Sequence, residues 1–583
     1  MKKYSVPKNF QSSVGHGSFD NYQSLRENAK QDSNSYWESV ANRIDWFDKW
    51  TTVNNTDYSK AHIEWFSNGK LNASYNCIDR HIENGFGGKT ALIWQSNDPT
   101  ISKNVTYNEL LEKVSLFANG LKRAGIKKGD RVCIYMQMIP EAIVAMLACA
   151  RIGSVHSVVF GAFSSDALKN RINDSKCKLL ITQDNGVRGS KFDIPMKENA
   201  DKIADECPSL TTVVMVERSG NDMFMKEGRD ITWNRFIDGC SSECPAEVMD
   251  AEDPLFILYT SGSTGKPKGV MHTTGGYLVY ASHTHELVFD YHQDDVYWCT
   301  ADIGWITGHS YIVYGPLSNA VTQVIFEGVP NYPDFGRFWQ IVEQHKVNVF
   351  YTAPTALRAL MKEGDDWVRK YDLSSLKVLG TVGEPIKSPE WHWYFNVIGN
   401  EKCPIVDTWW QTETGGILMS PIPGCVPTKP GSATLPLPGI IPAILDEEGN
   451  EITERNTTGY LVMTQSWPGQ MRTVYGDHQR FIDTYFSQAP GNYFTGDGAY
   501  IDDDGYFWIT GRVDDVLNVS GHRIGTAEVE GAIGAASGVA EAAVIGYNHE
   551  IKGEGIYAFV TLMTGVEPST EIEQDILSTV TKI

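Results

Sequence analysis

Leu255-Phe256-Ile257-Leu258 runs directly into Tyr259-Thr260-Ser261-Gly262-Ser263-Thr264-Gly265-Lys266-Pro267-Lys268-Gly269. An apolar run of this kind reads as a buried strand, and the small residues after it let backbone come close to an anion. Hydroxyls and amides in such a loop donate to phosphate oxygens, and two lysines add charge. A Walker-A loop does not fit. That motif needs four residues between its glycines and Ser or Thr after the lysine. Here two residues separate Gly262 from Gly265, and Pro267 follows Lys266. A flexible glycine–serine linker is the plain alternative, but linkers are rarely preceded by a buried strand.

Upstream, the strand belongs to an α/β rhythm. Thr106 and Glu109 form a capping-box pair, and Leu110, Val114, Phe117, Ala118 and Leu121 recur at helical spacing until Gly125. Arg131–Met136 reads as a buried strand, Pro140 opens a helix that runs to Gly153, and strands follow at Val155–Phe160 and Lys178–Thr182. Strand, helix, strand at this spacing implies crossover connections and a mostly parallel sheet. The rhythm returns between about 255 and 410. The fold class is therefore α/β, with two doubly wound sheets in a large N-terminal domain.

After about 430 the texture turns to Pro and Gly (Pro430, Gly431, Pro436, Pro438, Gly439, Pro442) with short β-like runs, which reads as a small β-rich subdomain. A last Ala/Gly-rich region follows Asp514 and is expected to be a small mobile α+β domain. Residues 1–35 are polar and read as a loosely structured lead-in. An aromatic-rich stretch (Trp37, Trp46, Phe47, Trp50, Trp65, Phe66) comes next and needs a surface to bury against. The expected division is 1–95 as an extension on the main body, 96–513 as the nucleotide-binding domain, and 514–583 as the C-terminal domain.

Composition narrows the function classes. The 583 residues exceed one hydrophobic core, with 42% apolar and 21% charged residues. Fifty basic and 72 acidic residues give a net charge of −22, which argues against a nucleic-acid surface. The ten cysteines show no CxxC pair or zinc-ligand spacing and read as reduced thiols of a cytosolic enzyme. MKKYSVPKNFQSSVGHG has no apolar stretch behind its lysines, so it is not a secretory signal. No window of eighteen apolar residues occurs, so no membrane span is expected.

Three further stretches follow the loop in order: Thr381-Val382-Gly383-Glu384-Pro385, Asp407-Thr408-Trp409-Trp410-Gln411-Thr412-Glu413, and Tyr493-Phe494-Thr495-Gly496-Asp497 with Gly511-Arg512 beyond it. With the loop, they make the chain resemble the acyl-adenylate-forming superfamily. From about residue 35 onward it resembles the acetyl-CoA synthetase family within it. That resemblance implies an AMP-forming acetate–CoA ligase using ATP, Mg2+ and CoA. It places Thr260, Ser261, Gly262, Ser263, Thr264, Gly265 and Lys266 on the ATP phosphates. Gly383, Glu384 and Pro385 would lie along adenine and ribose, continued by Asp407, Thr408, Trp409, Trp410 and Gln411. Thr412 would contact the α-phosphate, Glu413 would help bind magnesium, Asp497 would hold the ribose hydroxyls, and Arg512 and Arg523 would meet the nucleotide. Ordinary core packing is the preferred reading for Trp409.

The same resemblance assigns the acyl pocket to Ile306, Thr307, Val382 and Trp410, with the indole as a floor that leaves room for a methyl. Each methylene is worth about 1–3 kcal/mol of discrimination in such a site, so propionate is a poorer substrate rather than an excluded one. For CoA it points to Arg188 and Lys191, within Gly186-Val187-Arg188-Gly189-Ser190-Lys191, at the 3′-phosphate, together with Gly161, Thr307, Asn331 and Ser520. Asp514 matches the hinge about which the small domain rotates between half-reactions. Two other readings stand beside this one: a ligase of propionate or another short acid, and a nucleotide-binding fragment without full turnover. The second arises because the family uses a lysine in a Ser-Gly-Lys setting near its C-terminus. After Asp514 this sequence has only Lys552 and Lys582, neither after Ser-Gly. The chain is thus expected to be a fragment with an incomplete C-terminal domain, binding ATP but adenylating acetate poorly.

Overall fold

The structure is a computed structural model. It describes residues 2–7, 10, 18–260, 267–513, 516–519, 522–549 and 553–582. Two large sheets form the body. The first has eight strands in the spatial order Asp230–Thr232, Thr212–Val216, Leu179–Gln183, Arg131–Met136, Val155–Phe160, Pro254–Thr260, Lys268–Thr273 and Thr473–Val474. Its first six strands are parallel, and its last two pairings are antiparallel. The second has seven: Ile405–Asp407, Val378–Thr381, Val349–Thr352, Val296–Cys299, Thr322–Phe326, Thr90–Gln95 and Ser102–Thr106. Only its last strand is antiparallel.

The elements around the first sheet form as their sequences dictate. Thr106 caps Tyr107–Arg123 with the full reciprocal box to Glu109, and Pro140 is the first residue of Pro140–Arg151. Eleven of the twelve residues of that second helix are buried, because it is covered on all sides; Arg151, one of them, is held by Asp79 at 2.8 Å. Crossover helices of this kind cover both faces of a parallel sheet, so its strands read as continuous apolar runs.

The β-rich subdomain is an antiparallel sheet of Pro442–Leu445, Gly459–Met463, Tyr493–Ile501 and Phe507–Arg512. The C-terminal region is another, in the order His522–Gly525, Val516–Val519, Gly553–Leu562, Val539–His549, with helices Thr526–Gly534 and Thr570–Lys582. The aromatic segment packs on the body as expected. Trp37 and Trp65 are fully buried, Trp37 lies 5.7 Å from Tyr280, and the Trp65 indole donates to Ser466 Oγ at 2.9 Å.

The described residues of the lead-in from Ser18 onward are not loose. Phe19–Gln31 and Ser33–Ala41 are helices, capped by Ser18 and Asp32. Tyr4 also pairs with Thr428. The polar composition misled because the first helix buries little more than Tyr22 and Ala29. The Tyr22 hydroxyl donates to Pro436 O at 2.7 Å, an anchor 414 residues away.

Candidate active site

The carboxyl ends of parallel strands are where α/β sheets bind ligands. Val378–Thr381 ends at Val382 and Gly383, whose φ of +102° suits glycine, and Ile405–Asp407 ends at Thr408. Both segments face a cavity of about 780 Å³. The first sheet supplies Thr260 and Lys268, the β-rich subdomain supplies Asp497 and Arg512, and helix His478–Tyr485 adds Thr484. Gly383, Glu384, Pro385 and the run from Asp407 to Glu413 all line it. The sequence-predicted nucleotide residues outside 261–266 and the C-terminal region therefore converge on one space.

At one end stands Asp497, 6% exposed. Its Oδ2 accepts from the Trp409 indole at 3.0 Å and from Gln411 Nε2 at 2.9 Å. Arg512 is its cross-strand partner, with Nη1 3.7 Å from Oδ1. Gly496 permits this, since a Cβ there would stand 2.9 Å from the Arg512 guanidinium. Burial pushes the Asp497 carboxyl up to about 6, against the opposing pull of Arg512 and the two donors. Trp409 does pack in the core, and its N–H also orients this acid. Asp407 behaves similarly: burial raises it to about 7, although Thr381 Oγ1 donates to it at 2.9 Å.

At the other end, Glu413 Oε1 accepts from the Tyr485 hydroxyl at 2.6 Å, and Lys268 Nζ donates to the same hydroxyl at 2.8 Å. Lys268 is 3.7 Å from Glu413, and burial lowers its pKa. Sequence reading had taken Lys268 as a loop cation and had not singled out Tyr485. The tyrosine sits 72 residues from Glu413, so no local pattern reports it. Glu384 is likewise held by residues that the motifs do not contain. Thr355 Oγ1 donates to it at 2.6 Å and Arg358 Nη2 at 2.7 Å, and the same guanidinium lies 3.4 Å from Glu541 of the C-terminal sheet.

Trp410 lines the cavity, donates to the Tyr351 hydroxyl at 3.3 Å and meets the Tyr311 ring edge-on at 4.9 Å. Tyr351 and Thr408 then link the indole to the carbonyl of Thr381. Ile306, Thr307 and Val382 are buried, with Ile306 and Val382 in the core cluster against which Trp410 packs. Elsewhere, Arg188 and Lys191 are directly opposite one another in the hairpin Gly186–Arg188/Lys191–Ile194, both exposed. Asn331 precedes Tyr332, whose ring is 6.2 Å from Phe192 of that hairpin. Gly161 follows Val155–Phe160, where a Cβ would stand 3.2 Å from Met196.

Ser261, Gly262, Ser263, Thr264, Gly265, Lys266, Asp514 and Ser520 lie outside the described residues. Arg523 falls in His522–Gly525, in a stretch where only the backbone is described. Among the described residues, no group of three or more His, Cys, Asp or Glu gathers to hold a metal ion.

A cavity walled by three sheets thus holds a buried acid, Asp497, and a second acid, Glu413, beside a buried lysine. The AMP-binding enzyme family matches residues 79–475, the AMP-binding enzyme C-terminal domain 528–583, and the acetyl-coenzyme A synthetase N-terminus 22–77. An acetyl-coenzyme A synthetase of Magnetococcus marinus is 57% identical over 564 residues, 97% of this chain and 87% of that protein. Acetyl-coenzyme A synthetase 2 of Pseudomonas aeruginosa is 58% identical over the same shares, and the Halorhodospira halophila protein is 56% identical over 99% of this chain and 89% of its own. The chain belongs to the acetyl-coenzyme A synthetase family.

Proposed function

We propose that the protein joins acetate to CoA at the expense of ATP, through an acetyl-adenylate. What carries this reading is the single cavity in which Asp497, Trp410 and Glu413 stand together, in a chain of this family. An acetate oxygen attacks the α-phosphorus of ATP and pyrophosphate leaves. The CoA thiolate then attacks the acetyl carbon and AMP leaves. Positioning and charge neutralisation supply the catalysis, with no enzyme nucleophile.

The residues divide this work by position. Asp497, kept buried and oriented by Trp409 and Gln411, accepts from the ribose hydroxyls. Gly383 to Pro385 and Asp407 to Gln411 form the walls along the nucleoside, with Glu384 fixed by Arg358 and Thr355. The Trp410 indole, immobilised by Tyr351 and Tyr311, closes the floor beneath the acetate methyl. Thr412 meets the α-phosphate, and Arg512 and Arg523 approach the nucleotide. Arg188, Lys191, Asn331, Gly161, Thr307 and Ser520 take CoA. Asp514 begins the mobile domain of 514–583.

Mg2+ fits the donor set. Glu413 offers a hard carboxylate oxygen beside its Tyr485 bond, and magnesium takes one or two carboxylates plus substrate phosphates rather than a protein cage. Bound there, it would neutralise phosphate charge. All ten cysteines are free, which supports a reducing, cytoplasmic setting. Among the described residues no helix is long and apolar enough to cross a membrane. The test is release of AMP as a function of added acid and CoA. Release that requires acetate and CoA together is expected. Release independent of acetate, or faster with propionate, would overturn the assignment.

A further inference from the structure

The tip of a two-residue hairpin is ordinarily its most exposed point. In the hairpin Gly186–Arg188/Lys191–Ile194 half of the tip is covered: Arg188, Ser190 and Lys191 are exposed, while Gly189 is buried. Gly189 has φ +60°, the left-handed conformation that a tight hairpin turn requires. A Cβ on it would stand 3.1 Å from Val329 Cγ2.

What covers the tip is Asn97, from the loop after strand Thr90–Gln95 of the other large sheet. Its Oδ1 accepts from Gly189 N–H at 2.9 Å, and its Nδ2 donates to Gly189 C=O at 2.9 Å. One carboxamide thus pairs with both backbone groups of the turn, as a neighbouring strand would. Asn97 is 2% exposed. Its loop is fixed from two sides, since Arg337 Nη2 donates to Ser96 O at 2.8 Å and Arg218 Nη2 to Ser96 Oγ at 3.3 Å. The base of the hairpin has its own mount, where Gln137 Oε1 accepts from Val187 N–H at 2.7 Å. The hairpin, a separate two-stranded sheet, is therefore clamped at its tip by a loop of the second large sheet.

We infer that Asn97 is a positioning residue for the phosphate end of CoA: it holds the Gly189 turn so that the Arg188 and Lys191 cations project together. This rests on the reading that those two residues meet the 3′-phosphate. Arg and Lys carry long, flexible stems, and a phosphate is bound well only when their backbone attachment is already fixed. Asn97 touches no substrate. It acts by removing the freedom of the turn that separates the two cations.

The experiment is the thioester half-reaction, from supplied acetyl-adenylate, with CoA and with 3′-dephospho-CoA. Wild type should show a lower KM for CoA than for dephospho-CoA, and the Arg188→Ala/Lys191→Ala double variant should lose that preference. Asn97→Ala should raise the KM for CoA about tenfold, the effect of losing buried hydrogen bonds, with kcat and the KM for acetyl-adenylate unchanged. Its KM for dephospho-CoA should stay at the wild-type value. Asn97→Asp keeps the shape and the N–H acceptor but turns an oxygen toward Gly189 C=O. It should show the same selective loss, and it serves if the alanine variant does not fold. If the double variant keeps the preference, the phosphate reading falls and the inference with it. If the double variant loses the preference while both Asn97 variants keep it, the inference alone is overturned. Equal rises in KM for both thiols and for acetyl-adenylate would make Asn97 merely structural and would also overturn it.

Discussion

In the part of the cavity proposed for the ribose, Asp497 is fixed by two donors from one other segment, Trp409 and Gln411, and by its strand partner Arg512. In the part proposed for the phosphates, Glu413 is held by one tyrosine and one buried lysine. The first arrangement is a preformed acceptor. The second is a charge balance that can be redrawn when phosphates and a cation arrive. Preorganisation suits the part of ATP that keeps its place through both half-reactions, and an exchangeable balance suits the part that departs as pyrophosphate.

The largest effect should come from breaking the fixed end. Asp497→Ala removes the proposed ribose acceptor and leaves the Trp409 indole without its partner, while Gln411 keeps only its bond to the Thr495 carbonyl at 2.8 Å. Two hydrogen bonds to a charged group are worth about 3 kcal/mol together, so the dissociation constant for ATP should rise about 100-fold. Calorimetric titration with ATP measures this, and thermal unfolding checks that the fold survives. A rise below about threefold would mean that Asp497 orients the wall rather than the ribose.

Between the two ends, Trp410→Gly should accept valerate and lose its preference for acetate. Each methylene that fills the space left by the indole contributes about 0.8 kcal/mol, or roughly 50-fold in the valerate-to-acetate ratio for three. Steady-state kinetics across a chain-length series reads it. An unchanged profile would show that the floor lies elsewhere, among Ile306, Thr307 and Val382.

The fixed end also carries a pH signature. Asp497 has its carboxyl raised to about 6 by burial, so the ionised acceptor is lost as pH falls through 6. ATP affinity should then drop about tenfold per pH unit below that value and be flat above it. The stability linkage runs the other way. A carboxyl whose native pKa exceeds its unfolded value makes the fold more stable, not less, as pH falls from about 6 to about 4. Fluorescence titration of ATP between pH 5 and 8 separates the two effects, and Asp497→Asn should flatten the binding profile. Loss of affinity that persists in that variant, with a midpoint nearer 7, would move the signature to Asp407, which burial raises to about 7.

The two ends also differed in how far the sequence reported them. Asp497, Trp409, Gln411 and Arg512 sit within or beside runs that resemble the family, so their membership of the site was legible. Their mutual bonds, which span 86 and 88 residues, were not. Tyr485 lies on a short helix whose pattern reports only burial, and nothing local connects it to Glu413. The strands Arg131–Met136 and Val155–Phe160 were readable to the residue, because a parallel strand covered on both faces is mostly apolar, here with His156 and Ser157 as exceptions in the second. Helix Phe19–Gln31 was missed for the converse reason: it is polar nearly everywhere and is anchored by one distant tyrosine bond. What is encoded by composition or local period can be read along the chain. What depends on a contact hundreds of residues away cannot.

The smallest predicted effect lies at the exchangeable end. Tyr485→Phe removes a hydroxyl that accepts from Lys268 at 2.8 Å and donates to Glu413 at 2.6 Å. The phenyl ring keeps the packing against Tyr493, 5.4 Å away and stacked, so the helix should stay in place. The buried Lys268 ammonium then needs another acceptor, and the nearest carboxylate is Glu413, now 3.7 Å away. Direct pairing would put the lysine in competition with the cation that Glu413 is proposed to bind. The loss of one such hydrogen bond is worth about 1 kcal/mol, so the Mg2+ concentration that half-saturates ATP binding should rise about fivefold. The KM for acetate should not move, because Trp410 and its partners are untouched. Titrating Mg2+ against ATP binding gives the answer without turnover. An unchanged or lowered Mg2+ requirement would mean that the tyrosine restrains Glu413 instead of shielding it from Lys268, and the phosphate end would then be as rigid as the ribose end.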